Sequence, residues 1–239
     1  MKRPTFLALA LFTAFSSLPC TSLCAEEDEP RTAEEILRLV RLSYALQDYK
    51  LRGQLRDDST GRLEPMELTM SKQVIRFRFI NPPAVIVHLD LTTEPATLWQ
   101  VKAGGSAPVP LKDSGRPVRG MDFNYEDLSM RFLYWRNPKL LGEERVSTVK
   151  CWKIRVTAPD RNGPYGTVDL WVHKESGGIA KMEAWNVIGK MVKRFQVTKV
   201  QKVDKATVLK EMRVESFNPL NGDRKGRTYM TLDNPEKNK

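Results

Sequence analysis

From Leu51 onward the apolar residues of this 239-residue chain recur at every second position, and that period dictates half-buried strands. Successive side chains of an extended strand point to opposite faces, so alternation makes one oily and one wet surface. Ile75, Phe77 and Phe79 alternate with Arg76 and Arg78, and Val85, Val87, Leu89 and Leu91 alternate with Ile86, His88 and Asp90. Further on, Trp152, Ile154 and Val156 alternate with Lys153 and Arg155, while Val168, Leu170 and Val172 alternate with Thr167, Asp169 and Trp171. The pattern continues through Ala180, Met182 and Ala184, through Phe195 and Val197, and through Val208, Met212 and Val214. Residues that tolerate positive φ separate these runs at Asp58-Ser59-Thr60-Gly61, Glu175-Ser176-Gly177-Gly178 and Asn221-Gly222-Asp223. Neighbouring strands are therefore predicted to be antiparallel.

Two segments depart from the period of two. Thr32 stands three residues before Glu35, the reciprocal capping pattern that opens a helix. Ile36, Leu39, Val40, Ser43, Tyr44 and Gln47 then recur at helical spacing, with Arg38, Arg41 and Asp48 off the stripe. Asn124 precedes Asp127 in the same way, and Leu128, Phe132 and Trp135 fall at i, i+4 and i+7 before Pro138 ends the run. Between them, Ala103 to Gly120 is rich in Gly, Pro, Ser and Lys and reads as a long flexible loop within one domain. The predicted fold is mainly β, in the α+β class: one strongly curved antiparallel sheet with helices on its concave side.

Lys2 and Arg3 precede an apolar run from Phe6 to Phe15 and small or polar residues up to Ala25, the order of an export signal. Residues 26–239 are then the single domain. Losing residues 1–25 leaves 37 basic residues against 29 acidic, so the charge falls from +10 to +8. In an exported protein that excess points to an anionic membrane surface, an acidic partner or simple solubility rather than to nucleic acid. Of three cysteines only Cys151 lies beyond the signal, so the fold rests on its core and not on disulfides.

Catalytic machinery is not legible. His88 and Asp90 share a strand face, as does any pair two apart in a strand, and a solvated face accounts for them. His173 has no Cys or second His near it in sequence to complete a metal site. Cys151 beside Trp152 reads as a packing residue. Glu126-Asp127 and Glu143-Glu144 are sequence neighbours whose side chains point apart, and they receive no acid or base role. What stands out is an apolar excess, because a curved single sheet does not easily fill its own concavity. The predicted cavity lining comprises Ile36, Val40, Phe77, Phe79, Leu89, Leu91, Phe132, Trp135, Trp152, Ile154, Leu170, Val172, Met182, Phe195 and Met212.

The run Asp122-Phe123-Asn124-Tyr125-Glu126-Asp127-Leu128, followed by Arg131-Phe132-Leu133-Tyr134-Trp135, resembles the LolA-like family of outer-membrane lipoprotein-sorting proteins. Gly142-Glu143-Glu144-Arg145, Cys151-Trp152, Tyr165 ahead of Val168-Asp169-Leu170-Trp171-Val172, and Gly189-Lys190 ahead of Lys193-Arg194-Phe195 extend the likeness from Thr32 to Leu232. The resemblance implies an unclosed β half-barrel with helices as a lid, located in the periplasm and monomeric. It implies a non-enzymatic carrier or chaperone for lipid or lipoprotein acyl chains, without cofactor, that meets an inner-membrane transporter and an outer-membrane acceptor. Relatives in fold that regulate envelope stress leave a sensing role as the alternative.

Overall fold

The computed structural model describes residues 32–43, 49–71, 73–93, 96–102, 107–203 and 206–237. The export signal, Tyr44 and Gln47 lie outside the described residues. The capping pair operates as expected: the Glu35 N–H donates to Thr32 Oγ1 at 3.2 Å, and the Thr32 N–H donates to the Glu35 carboxylate at 2.9 Å. Helix α1 (Ala33–Ser43) follows and buries Ile36, Leu37 and Val40.

The alternating runs become β1 (Tyr49–Asp57), β2 (Leu63–Met70), β3 (Val74–Phe79), β4 (Val85–Asp90), β5 (Thr97–Lys102) and β6 (Val109–Pro110) before the second helical segment. After it come β7 (Lys139–Val146), β8 (Val149–Thr157), β9 (Thr167–His173), β10 (Ile179–Trp185), β11 (Met191–Val203), β12 (Ala206–Phe217), β13 (Arg224–Leu232) and β14 (Glu236–Lys237). All pair antiparallel in one sheet, in the order β6-β5-β4-β3-β2-β1-β13-β12-β11-β10-β9-β8-β7, with β14 beside β1. Two meanders therefore meet at β1 and β13, and β6 and β7 are left at opposite edges. The sheet is unclosed. Register shifts in β7, β10, β11 and β12 add local twist, which curls it. The shift between Ile179 and Lys181 brings Ile179 into the core and leaves Ala180 half-buried.

This strand order has one consequence for the chain between β6 and β7. Consecutive in sequence but at opposite edges, they are joined by residues 111–138, which cover the concave face. The segment is not the continuous helix that the spacing of Leu128, Phe132 and Trp135 predicts. Helix α2 (Tyr125–Ser129) stops after five residues, because Met130 adopts a left-handed conformation (φ 47°, ψ 32°) and its N–H closes on Glu126 O at 3.0 Å. A 3₁₀ turn at Arg131–Tyr134 completes the segment, and Pro138 plays no part in ending α2. Phe132 and Trp135 still meet edge to face, 6.3 Å between centroids. Part of the Gly/Pro-rich stretch is tied down: Val109–Pro110 pairs with β5, and the Arg119 guanidinium reaches Glu64 (3.0 Å) and the carbonyls of Asn81 (3.0 Å) and Pro83 (3.1 Å).

The convex face is wet and ion-paired. Arg155 grips Asp169 with two bonds of 2.6 and 2.7 Å, Arg227 holds Glu215 at 2.8 Å, and Arg194 holds Glu183 at 3.0 Å. Such cross-strand pairs, each joining a largely covered acid to a part-exposed cation, contribute about 0.2–1 kcal/mol apiece. Several carboxylates are held below their usual range: Glu67 by Lys50, Glu144 by Lys153 and Trp171, Glu211 by Thr198 and Lys199. Asp57, which caps the β1–β2 turn by accepting from Ser59 and Thr60, is lowered from 3.8 to about 2. A depressed carboxylate stabilises the fold above its unfolded pKa and loses that contribution as pH falls through the folded value. The unfolding midpoint is therefore expected to hold from neutrality to about pH 5 and then to fall between about pH 4 and 2. Calorimetry across that range checks it, with Asp57→Asn flattening the lowest part of the slope; a midpoint that rises on acidification contradicts the assignment.

Candidate functional site

The strand residues of the predicted lining lie in the core cluster. Phe77, Phe79, Leu89, Trp152, Ile154, Leu170, Val172, Met182, Phe195 and Met212 are buried on the concave wall. Leu91 is half-buried against the same cluster. From the opposite side come Ile36 and Val40 of α1 and Phe132 of the crossing segment, all buried, with Trp135 half-buried beside them. The fifteen predicted lining residues are thus brought together, but as a contact and not around a hollow. Val118, Met121, Phe123, Leu128 and Leu133 join them in one core cluster, and Phe123 meets Phe195 edge to face at 6.3 Å. Two pockets among the described residues lie elsewhere. One of about 300 Å³ is lined by Arg52, Gln54, Pro65, Ile80 and Thr231, among others, and one of about 220 Å³ by Lys150, His173, Lys174 and Glu175. The expected partial vacancy is corrected accordingly: the segment forced across the sheet supplies the side chains that fill it.

What holds this cover down is polar. Asp127, wholly buried, accepts from its own cap, the Asn124 N–H at 2.7 Å, from the Tyr165 hydroxyl and from the Lys193 ammonium. The Asn124 side chain completes the group, donating to Tyr165 Oη at 3.1 Å and accepting from the Asp127 N–H at 2.8 Å. Tyr165 precedes β9, and Lys193 shares the inner face of β11 with Phe195. The group therefore bonds the cover to the wall across an apolar contact. Burial raises the Asp127 carboxyl above its usual range, against the opposing pull of Lys193 and Tyr165. Burial, reinforced by the Asp127 charge, also drives the Tyr165 phenol well up, so that it stays a donor.

Asp122 makes a second bond between cover and wall. It accepts from the hydroxyls of Ser216 and Thr228, and its own N–H donates to Thr228 Oγ1 at 3.0 Å. Its carboxylate lies over Gly226, where a Cβ would come 2.4 Å from Asp122 Oδ1, so the bare glycine makes the approach possible. Within the cover, Arg131 pairs with Glu126 and reaches Ser114 at 3.2 Å. Arg41 of α1 donates to Leu133 O at 3.0 Å and lies 5.4 Å from the Tyr134 ring centre, which couples the helix to the crossing segment.

The other candidates do not assemble into chemistry. Asp90 accepts from the N–H and hydroxyl of Thr92 (2.9 and 2.6 Å), and burial and then Arg76 lower the His88 imidazole. His173 Nδ1 meets Ser176 at 2.9 Å in its turn. Cys151 is buried, and burial raises its thiol, as expected of a packing residue. Glu143 pairs with Lys174, and Glu144 accepts from the Trp171 indole at 2.8 Å. Among the described residues no group of three or more His, Cys, Asp or Glu is placed to hold a metal ion, and no helix is long and apolar enough to cross a membrane. The signal that sequence reasoning missed is Lys193, a charge on the same alternating face as Phe195 and Val197.

Comparison with known proteins agrees with this geometry. A family model described as "Uncharacterized protein" matches residues 107–239. No curated protein matches. Among solved structures, a LolA superfamily protein from Nitrosomonas europaea is similar at 16% identity and a TM-score of 0.69, over 87% of this chain and 94% of that one. An outer membrane lipoprotein-sorting protein domain from Vibrio parahaemolyticus is similar at 17% identity and 0.69, over 85% and 91%. A DUF1329 family protein from Desulfovibrio piger is similar at 16% and 0.68, also over 85% and 91%. At these identities the likeness fixes the fold: an open, curved antiparallel half-barrel.

Proposed function

The chain belongs to the uncharacterized-protein family whose model spans residues 107–239 and has the LolA-superfamily fold, and from that premise we propose a periplasmic carrier for acyl chains. Its cargo is a lipid or the acyl chains of a lipoprotein, moved towards the outer membrane by a monomer that performs no chemistry on them. One observation carries this reading. The concave wall is apolar on strand after strand, yet its cover is no strand of the sheet and is bonded to the wall through a few polar groups at Asp122 and Asp127. An acyl chain that takes the place of Phe123, Leu128 and Phe132 keeps the wall covered, so what opposes entry is the loss of the polar bonds and the transfer of those three displaced side chains to water. An acyl chain of about fourteen carbons brings roughly 11 kcal/mol of apolar transfer, enough to compete without ATP.

Uptake of a fluorescent fatty acid, with native mass spectrometry of protein isolated from its own envelope, tests the proposal. The parent protein is expected to bind, and Phe77→Asp, which puts a charge on the wall, to reduce binding about tenfold or more. A charge reversal at Lys112, exposed at the start of the crossing segment, leaves it unchanged. Protein that is consistently lipid-free and takes up no fatty acid removes the carrier reading. The second reading, a regulatory binding protein, rests on edge strand β7, where Leu140 and Leu141 are exposed beside unpaired backbone. It predicts a stable protein complex in the same mass spectra.

A further inference from the structure

At one end of the sheet two neighbouring hairpin tips hold large apolar side chains in water. The β10–β11 turn presents Val187, 47% exposed, and Ile188, 72% exposed; the β12–β13 turn presents Leu220, 91% exposed. Antiparallel order puts both turns at the same end, two strands and so about 10 Å apart. Single exposed apolar residues are ordinary, but three on adjacent apices form a patch.

The two tips are built alike. The Asn186 side chain accepts from the N–H of Ile188 at 3.1 Å and of Lys190 at 2.9 Å, and the Asn218 side chain accepts from the N–H of Leu220 at 3.0 Å. Each chain returns through a left-handed glycine, Gly189 (φ 73°) or Gly222 (φ 78°). An asparagine thus fixes the backbone beneath the apolar residue two positions later. Reversing the chain requires only the Asn and the Gly, so the turn geometry leaves the Ile and the Leu unexplained.

The surroundings are cationic. Lys190 is exposed in the first turn, and Arg224 and Lys225 are exposed where β13 leaves the second, Arg224 also lying 3.3 Å from Glu215; Arg161 is exposed in the 158–166 loop, whose Gly166 lies against the Val187 backbone. The nearby acids are occupied locally: Asp160 accepts from the Asn162 N–H at 2.9 Å, and Asp223 meets Asn221 at 2.5 Å. Apolar apices ringed by lysine and arginine complement one kind of surface, with phosphates at the level of the cations and acyl chains just beneath.

We propose that this end of the sheet docks on an anionic phospholipid bilayer, with Ile188 and Leu220 entering the acyl layer and Lys190, Arg224 and Lys225 meeting the phosphates. Docking needs no occupant in the concave face, so it goes beyond the carrier reading. Co-sedimentation with vesicles of phosphatidylglycerol and phosphatidylethanolamine, set against vesicles of phosphatidylcholine alone, tests it. The protein is expected to bind the anionic vesicles at least about tenfold more tightly, with the preference shrinking as salt rises. Ile188→Asp with Leu220→Asp reduces binding about a hundredfold, and Lys190→Glu with Lys225→Glu about tenfold at low salt. Both variants keep the parental unfolding midpoint, because the altered side chains are exposed. They also keep fatty-acid uptake, which separates failure here from failure of the carrier reading. Equal binding by the tip variant and the parent overturns the proposal. So does absence of vesicle binding combined with a tip-dependent protein complex, which would assign the patch to a protein partner.

Discussion

Replacing Lys193 by methionine is expected to lower the unfolding midpoint by roughly 6–20 °C. The substitution leaves the Asp127 carboxylate wholly buried, with hydrogen bonds from Asn124 and Tyr165 but without a counter-charge. Breaking a buried pair on one side costs about 3–5 kcal/mol, and in a domain of this size each kcal/mol moves the midpoint by about 2–4 °C. The loss has a pH signature. The Asp127 carboxyl is already raised by burial, and losing Lys193 raises it further, so acidification lets it take a proton and the deficit shrinks as pH falls. Adding Asp127→Asn to Lys193→Met removes the stranded charge and is expected to restore most of the midpoint, because Asn keeps an acceptor for Tyr165. Calorimetry of the parent, the single and the double variant decides the matter. A single variant as stable as the parent, or a double variant less stable than the single one, would show that the pair does not hold the cover.

The wall was legible because the sheet is wet on one side. Ile75, Phe77 and Phe79 show their period only because Arg76 and Arg78 face water between them, the condition under which an antiparallel strand announces its faces. The capping pair of Thr32 and Glu35 was legible for a similar reason: it is local, and its partners are three residues apart. The second helix misled because Leu128, Phe132 and Trp135 suit a continuous helix and a helix broken at Met130 equally well. Periodicity records which residues are buried, not whether the backbone between them is continuous. Asp127 reads in sequence only as the cap partner of Asn124, its side chain pointing apart from that of Glu126, yet its partners Tyr165 and Lys193 are 38 and 66 residues away. Asp122 meets Thr228 across 106 residues. Those distances close only once β6 and β7 stand at opposite edges, and no local pattern encodes that order. The same order fills the concavity, which is why a hollow expected from the sheet alone is occupied by the chain itself.

If the cover is a door and not a floor, weakening its hinge side should improve binding, the reverse of what damage to a binding site does. Asp122→Ala is expected to make fatty-acid uptake tighter by about 100-fold or more. The change removes the hydroxyl bonds from Ser216 and Thr228 and leaves the apolar wall intact. Bonds to a carboxylate contribute about 1.5–3 kcal/mol each, and the covered state holds them while a displaced cover does not. Apparent affinity scales with the fraction of molecules competent to bind, and each 1.4 kcal/mol taken from the covered state raises that fraction about tenfold while the covered state predominates. Phe77→Asp must move the other way, since it damages the surface that the acyl chain would touch. Fluorescence titration of both variants gives opposite signs if the concave face is a binding surface under a displaceable segment. Weaker or unchanged uptake by Asp122→Ala would mean that residues 111–138 are permanent core and that any lipid binds elsewhere.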